Sequence, residues 1–303
     1  MIHVTEAQSS AIVTPAFAFD AVRAALIAAT DPAAASFSVV NAHANDPQNR
    51  FSIKSAAGAG LAGFKVGAYF PTNDAQSLPR HASTIMLIDQ ASGKIGALIE
   101  GSALNCYRTA AADAVATDAL ARRDAQVLTL FGTGHQAAYE AQAIARIRPL
   151  SHILVVGRDA ARTASFVARL RADGLPAEAA APEPAVRAAD IIVTATTATA
   201  PLFDADLVTA GTHISSMGSD SLGKQELPPA LFGRARLYCD LVDQSMRIGE
   251  FQHADPKTLM VAIGAVLSGV SQGRTAPDEI TIFDSSGISL QDLHMAQAVL
   301  DMI

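Results

Sequence analysis

The residues with the clearest chemical potential are Gly132-Thr133-Gly134-His135-Gln136-Ala137, which follow the apolar run Val127-Leu128-Thr129-Leu130-Phe131. Such a run suits a strand buried on both faces of a parallel sheet. An alanine-rich stretch of helical pattern comes next. Glycine at 132 permits a sharp strand-to-helix turn. Glycine at 134 lets a bulky anion approach the backbone, and Ala137 lets helix and strand pack closely. This G-x-G-x-x-A pattern, lying between a strand and a helix, predicts a dinucleotide site with the pyrophosphate on the free N–H groups of the helix. His135 is open between a phosphate contact and a solvent-facing side chain.

Two cations stand out upstream. Lys65 interrupts the apolar strand Ala62 to Phe70, which Pro71 stops. Its composition leaves two readings, an outward-facing lysine or a functional one. Arg108-Thr109 opens an alanine-rich helical pattern running to about Arg123, with Thr109 or Asn105 as its cap. An arginine at the positive end of a helix makes a carboxylate site; the alternative is a surface arginine at a domain junction. His213, inside a strand, reads as a satisfied core histidine.

These groups need elements to position them. Pro15 to Thr30 has helical spacing and ends before Asp31-Pro32. Phe37 to Val40 and Arg50 to Lys54 read as short strands around a polar loop, Asn41 to Asn49. Ser83 to Asp89 and Ile95 to Glu100 form a hairpin whose turn is supplied by Gly93. Strands without intervening helices predict an antiparallel or mixed sheet in the first hundred residues. From Val127 the pattern alternates strand and helix: Ile153 to Val156, Ala160 to Ala172, then strands at Asp190 to Ala195, Gly211 to Met217, Arg236 to Asp240 and Ile280 to Asp284. That is a doubly wound Rossmann-type sheet, α/β in class, with ligands at the carboxyl ends of its strands. Thr194-Ala195-Thr196-Thr197 and Gly218-Ser219-Asp220 fall at such ends. Gly157-Arg158-Asp159 follows the second strand, where the adenosine ribose is expected. Arg158 and Arg162 favour a 2′-phosphate, hence NADP over NAD, although Asp159 is adjacent. An alanine–proline loop is expected near Ala179 to Pro184.

Half of the 303 residues are hydrophobic and the formal charge is -7, which argues against nucleic acid as the main partner. No apolar run reaches membrane-spanning length and no signal pattern opens the chain, so a cytoplasmic protein is expected. Cys106 and Cys239, both in apolar neighbourhoods, read as buried thiols. The histidines are scattered, and no metal site is expected.

Five ordered motifs carry a resemblance to a known family. They are Gly63-Phe64-Lys65-Val66-Gly67 with Phe70-Pro71-Thr72-Asn73, Arg108-Thr109-Ala110-Ala111, the glycine loop, Met217-Gly218-Ser219-Asp220 with Gly223 to Leu227, and Gly249-Glu250-Phe251-Gln252. Over nearly its whole length the chain resembles the ornithine cyclodeaminase/mu-crystallin family. The resemblance implies a homodimer, with residues 1–118 and 286–303 forming a substrate-binding and dimerisation domain around a dinucleotide-binding domain, 119–285. It implies that Lys65 and Arg108 hold a substrate α-carboxylate, with Lys65 also in the catalytic machinery, and that Asp220 is the acid/base. The expected cofactor contacts are Thr109, Gly132, Thr133, Gly134, His135, Gln136, Arg158, Asp159, Thr194, Ala195, Thr196, Met217 and Gly218. Ser286 and Gly287 join the expected substrate contacts. Cyclodeaminating members carry an arginine and a glutamate upstream of the lysine; counting back without gaps gives Asn41 and Ser52, with Arg50 and Lys54 available only in a shifted register. The second half is closer to members that reduce imino acids. The expected activity is therefore NAD(P)H-dependent reduction of a small α-imino acid, such as iminosuccinate or a cyclic ketimine, or its reverse. Ornithine or lysine cyclodeamination and non-catalytic binding are the alternatives. Lys54, upstream of Lys65, is expected to help bind the substrate, with a second carboxylate as one candidate partner.

Overall fold

The computed structural model describes residues 1–303, which divide into two compact units, Met1–Arg108 with Ile288–Ile303, and Thr109–Gly287. The first unit is built on seven strands: β1 (Ile2–Val4), β2 (Ala35–Ser36), β3 (Val40–His43), β4 (Arg50–Gly58), β5 (Leu61–Tyr69), β6 (His81–Ile88) and β7 (Ile95–Glu100). They run in the order β1-β7-β6-β5-β4-β2, with β3 also pairing β4. Only the β1–β7 pair is parallel. Ala59 and Gly60, both at positive φ, make the two-residue turn that joins β4 to β5. The β6–β7 hairpin turns where predicted, with Gly93 at φ 70° and Asp89 Oδ1 accepting from the N–H groups of Ala91 and Ser92.

Helices α1 (Glu6–Ile12) and α2 (Pro15–Ala28) precede β2, and each starts on a threonine, Thr5 or Thr14, whose hydroxyl accepts from the first turn. Helix α3 (Ser102–Leu120) starts six residues earlier than its sequence pattern suggests. Its cap is the remote Glu6 carboxylate, which accepts from Ser102 N at 2.8 Å and Ala103 N at 2.9 Å. Arg108 therefore lies in the second turn, away from the free N–H groups, and the predicted helix-end anion site is corrected. The C-terminal helix, reached last in the chain, packs on α2 and on strands β4, β5 and β6. Phe37 to Val39 lie outside strands, and Asn41 to His43, expected as loop, pair with β4. Cys106 is only partly buried, whereas Cys239 is fully buried.

The second unit follows as β8 (Val127–Phe131), α4 (His135–Ile147), β9 (His152–Val156), α5 (Ala160–Ala172), β10 (Ala177–Ala179), α6 (Pro182–Ala188), β11 (Ile191–Thr194), β12 (His213–Ser216), β13 (Ala235–Cys239), α7 (Val242–Ile248), β14 (Met260–Ala262), α8 (Ile263–Leu267) and β15 (Ile280–Asp284). The remaining helix, α9 (Ser289–Leu300), returns to the first unit. Eight parallel strands run β10-β9-β8-β11-β12-β15-β13-β14. The chain winds outward from β8 to β10, then restarts at β11 on the other side, so the switch point lies between β8 and β11. Every residue of β11, β12 and β15 is buried, as a doubly covered parallel sheet requires. The alanine–proline stretch proves to be strand β10 and the start of α6, whose Pro182 sits in the first turn. His213 is the satisfied core histidine expected, bonded to Thr281 Oγ1 (2.9 Å) and Ser215 Oγ (3.2 Å), with burial lowering its pKa to about 3. No single helix is long and apolar enough to cross a membrane.

Candidate active site

In the first unit, strand alternation turns Lys65 toward the helix-covered face of the sheet, where it is 4% exposed. Its ammonium donates to Asn105 Oδ1 of α3 at 2.9 Å and lies 3.0 and 2.9 Å from Asp292 Oδ1 and Oδ2 of α9. Arg108, also buried, reaches the same two acceptors. Its Nη2 and Nε donate to Asn105 Oδ1 at 2.8 and 3.2 Å, Nε lies 3.4 Å from Asp292 Oδ1, and Nη1 donates to Gln291 Oε1 at 3.4 Å. Lys65 and Arg108 thus converge on Asn105 and Asp292, although they are 43 positions apart in the chain. Burial pushes the Lys65 pKa down to about 7; Asp292 opposes that shift, while Arg108 and Lys54 add to it. Lys65 is therefore an ammonium that can lose its proton near neutrality, a property suited to acid–base work as well as to anion binding. Lys54 stands directly opposite Lys65 in the β4–β5 register, so both lie on one face of the sheet.

Asp292, Asn105 and Gln291 were not legible as site residues. The one available signal was an aspartate at 292 within a helix whose neighbours Leu290, Leu293, Met295 and Ala296 are all apolar. A buried carboxylate in such a helix needs a cation.

In the second unit the glycine loop takes the predicted form. Gly132 sits at φ 122°, and a Cβ there would lie 2.6 Å from the Ala195 carbonyl oxygen. Gly134 is the N-cap of α4; no side chain caps the helix, and a Cβ at Gly134 would meet nothing within 4 Å. The first N–H groups of α4 thus have room beside them for an anion, which fits a pyrophosphate. Thr133 lines the same turn, where its methyl group approaches Gly157. His135 is exposed and packs edge-on against Tyr139, whereas Gln136 donates to the buried Glu140. Thr109 follows Arg108 in α3.

The tips of the neighbouring strands are laced together. Gly132 N donates to Val156 O, Ala195 N to Phe131 O, and Met217 N to Thr194 O. Beneath them lies Glu226, fully buried, which accepts from Thr194 Oγ1, Thr196 N and Thr196 Oγ1, each at 2.7 Å. It also accepts from Gly218 N at 2.9 Å and Ser216 Oγ at 3.2 Å. Glu226 is held in turn by Glu250, whose carboxylate accepts from the N–H groups of Glu226 and Leu227. Burial raises the Glu250 pKa to about 7. These two glutamates fix the shape of the strand-tip loops. Sequence reasoning had them only as letters within motifs.

Asp220 projects from the loop after β12, its side chain 54% exposed, paired with Lys224 Nζ at 2.6 Å. Arg158 and Arg162 are both exposed beyond β9. Asp159 caps α5, with Oδ1 accepting from Arg162 N at 2.7 Å, so its carboxylate is committed to the helix. Ser286 and Gly287 form a turn held by Gln244, which donates to Ser286 Oγ and Gly287 O, and by Asp240, which accepts from Gly287 N.

A parallel doubly wound sheet with a glycine turn and an open helix terminus at its switch point defines a dinucleotide-binding protein, here carrying a second unit with a cationic site. The chain belongs to the ornithine cyclodeaminase/mu-crystallin family, whose model matches residues 7–303. It is 37% identical to the iminosuccinate reductase of Paracoccus denitrificans, over 100% of this chain and 96% of that one. The crystal structure of that reductase in complex with NAD+ superimposes with a TM-score of 0.91. An archaeal alanine dehydrogenase dimer with bound NAD, 27% identical and covering 99% of this chain and 95% of its own, also gives 0.91. A Δ1-pyrroline-2-carboxylate reductase of Bacillus cereus is 33% identical over 82% of this chain and 80% of its own.

Proposed function

We propose that this protein reduces a small α-imino acid to the amino acid with NAD(P)H, or runs the reverse dehydrogenation. The observation that carries the reading is the convergence of Lys65 and Arg108 on one buried point, where their charges match a substrate carboxylate. The names of the relatives agree with it. The first unit serves substrate binding and dimerisation, and the second binds the cofactor through the residues of its glycine turn and strand tips.

The α-carboxylate lies on the Lys65 ammonium and the Arg108 guanidinium, which fix the orientation of the C=N bond. The nicotinamide, when bound, supplies the hydride to the imine carbon. Asp220 provides the proton that the developing amine nitrogen requires, and takes it back in the reverse direction. Gly134 N–H and the next helical N–H groups hold the pyrophosphate, while Glu226 keeps Thr194 to Thr196 and Gly218 in place. Arg158 and Arg162 favour NADP, because Asp159 is occupied as a helix cap. A homodimer agrees with the half-buried apolar side chains Ile53, Phe64, Val66 and Met86 on the sheet face opposite Lys65.

The decisive variant is Asp220→Asn. Turnover is expected to be lost while calorimetric cofactor affinity is kept; unchanged turnover would remove Asp220 from the mechanism. Proline formed from ornithine, without net cofactor oxidation, would replace reduction by cyclodeamination.

A further inference from the structure

We propose that Lys54 and Ser52 form a second carboxylate site beside Lys65, which makes the preferred substrate a dicarboxylic α-imino acid. The inference rests on the reductase reading and names its substrate class. Asn41, Ser52, Gly67 and Ser83 stand opposite one another across β3, β4, β5 and β6, and the next row is Lys54, Lys65 and Ile85. Directly paired residues project to the same face. One face of the first unit therefore carries two lysines side by side and a row of hydroxyl and amide groups next to them.

Gly67 opens the space between. A Cβ at that position would find its nearest neighbours at Lys65 Cε (3.8 Å), Ser52 Oγ (3.8 Å) and Ser83 Oγ (3.9 Å). The missing side chain leaves a hollow lined by two hydroxyls next to the lysine that takes the α-carboxylate. Like charges directly opposite in a sheet are destabilising, and Lys54 does act on Lys65, lowering its pKa. A second anion relieves that repulsion. Directly opposed side chains start about 5 Å apart, the scale that separates the two carboxylates of a four-carbon diacid. The α-carboxylate then takes Lys65 and Arg108, and the distal carboxylate takes Lys54 with the Ser52 hydroxyl as donor. A substrate ending in an amino group would meet positive charge at both lysines and is disfavoured on the same geometry.

The test is calorimetric binding of succinate and of propionate to the cofactor-loaded protein, which needs no turnover. Wild type is expected to bind succinate at least about thirtyfold more tightly than propionate, and Lys54→Met to cut that ratio by about tenfold or more. Lys54→Arg is expected to restore most of the ratio, and Ser52→Asp to lower it by like-charge repulsion, which separates recognition from a packing defect at Lys54. Equal wild-type affinities, or a ratio that survives both Lys54→Met and Ser52→Asp, would overturn the proposal. Turnover of oxaloacetate plus ammonia against pyruvate plus ammonia is measured in parallel. Succinate selectivity without reduction of either imine would refute the reductase reading and leave the second site standing.

Discussion

Replacing Asp292 with asparagine isolates what one buried carboxylate contributes. It is the group that raises the Lys65 pKa, against burial, Arg108 and Lys54, which all lower it, and the balance falls at about 7. An opposite charge at such range moves a pKa by roughly 1–3 units. Without it the Lys65 ammonium loses its proton at correspondingly lower pH. Carboxylate binding that needs the ammonium then weakens by about tenfold for each unit lost, as measured near neutral pH. The assay is kcat/KM against pH, which reports groups of the free enzyme. Wild type is expected to fall as pH rises through about 7, and Asp292→Asn to show the same fall displaced to lower pH. Stability adds a signed control. The folded Lys65 pKa lies below the 10.5 of an exposed lysine, so the unfolded chain binds more protons between them and wild-type stability rises with pH over that window. In Asp292→Asn the window extends further to acid, so its Lys65-linked deficit in Tm should be largest at the acid end and shrink as pH rises to about 7. Superimposable profiles, or a displacement to higher pH, would refute the assigned role of Asp292.

Three further outcomes follow from the second unit. Gly134→Ala should leave the unfolding free energy within about 1 kcal/mol of wild type, since its Cβ meets no protein atom within 4 Å, yet weaken the cofactor by about tenfold or more; unchanged cofactor affinity would remove the anion from that helix end. Glu226→Ala removes the acceptor of five donors, two of them buried and three partly buried, and should cost about 3–5 kcal/mol in denaturant melts, with cofactor affinity lost as well; a loss under 1 kcal/mol would contradict its role. Arg158→Ala should weaken NADPH at least about tenfold more than NADH, and equal losses would remove the NADP preference.

The second unit was legible because its signals are local. A buried parallel strand reads as a continuous apolar run, and paired glycines between such a run and a helix mark a tight turn, so β8, β9, α5 and β15 lie where periodicity put them. The first unit was less so. The start of α3 depends on Glu6, 96 positions away from Ser102, and no propensity at Ser102 reveals such a cap. Strand β3 is a short, mostly exposed edge whose polar residues resemble a loop until β4 pairs with them. Lys65 and Arg108 stood out in the sequence as cations open to two readings, and Asp220 as a polar residue at a strand end, but the groups that surround them were not legible. Asp292, Asn105 and Glu226 act through contacts made only when distant segments meet, and each looks like an ordinary polar residue in its own stretch.

Net reduction of an α-imino acid is read by following oxidation of NADPH and NADH by the purified protein. Oxaloacetate plus ammonia, pyruvate plus ammonia, and pyrroline-2-carboxylate are the substrates to offer. Oxidation of the reduced cofactor with stoichiometric amino acid, fastest with the dicarboxylic imine and absent from Asp220→Asn, is the predicted result. No oxidation with any of them, in a protein that binds the cofactor, would contradict it.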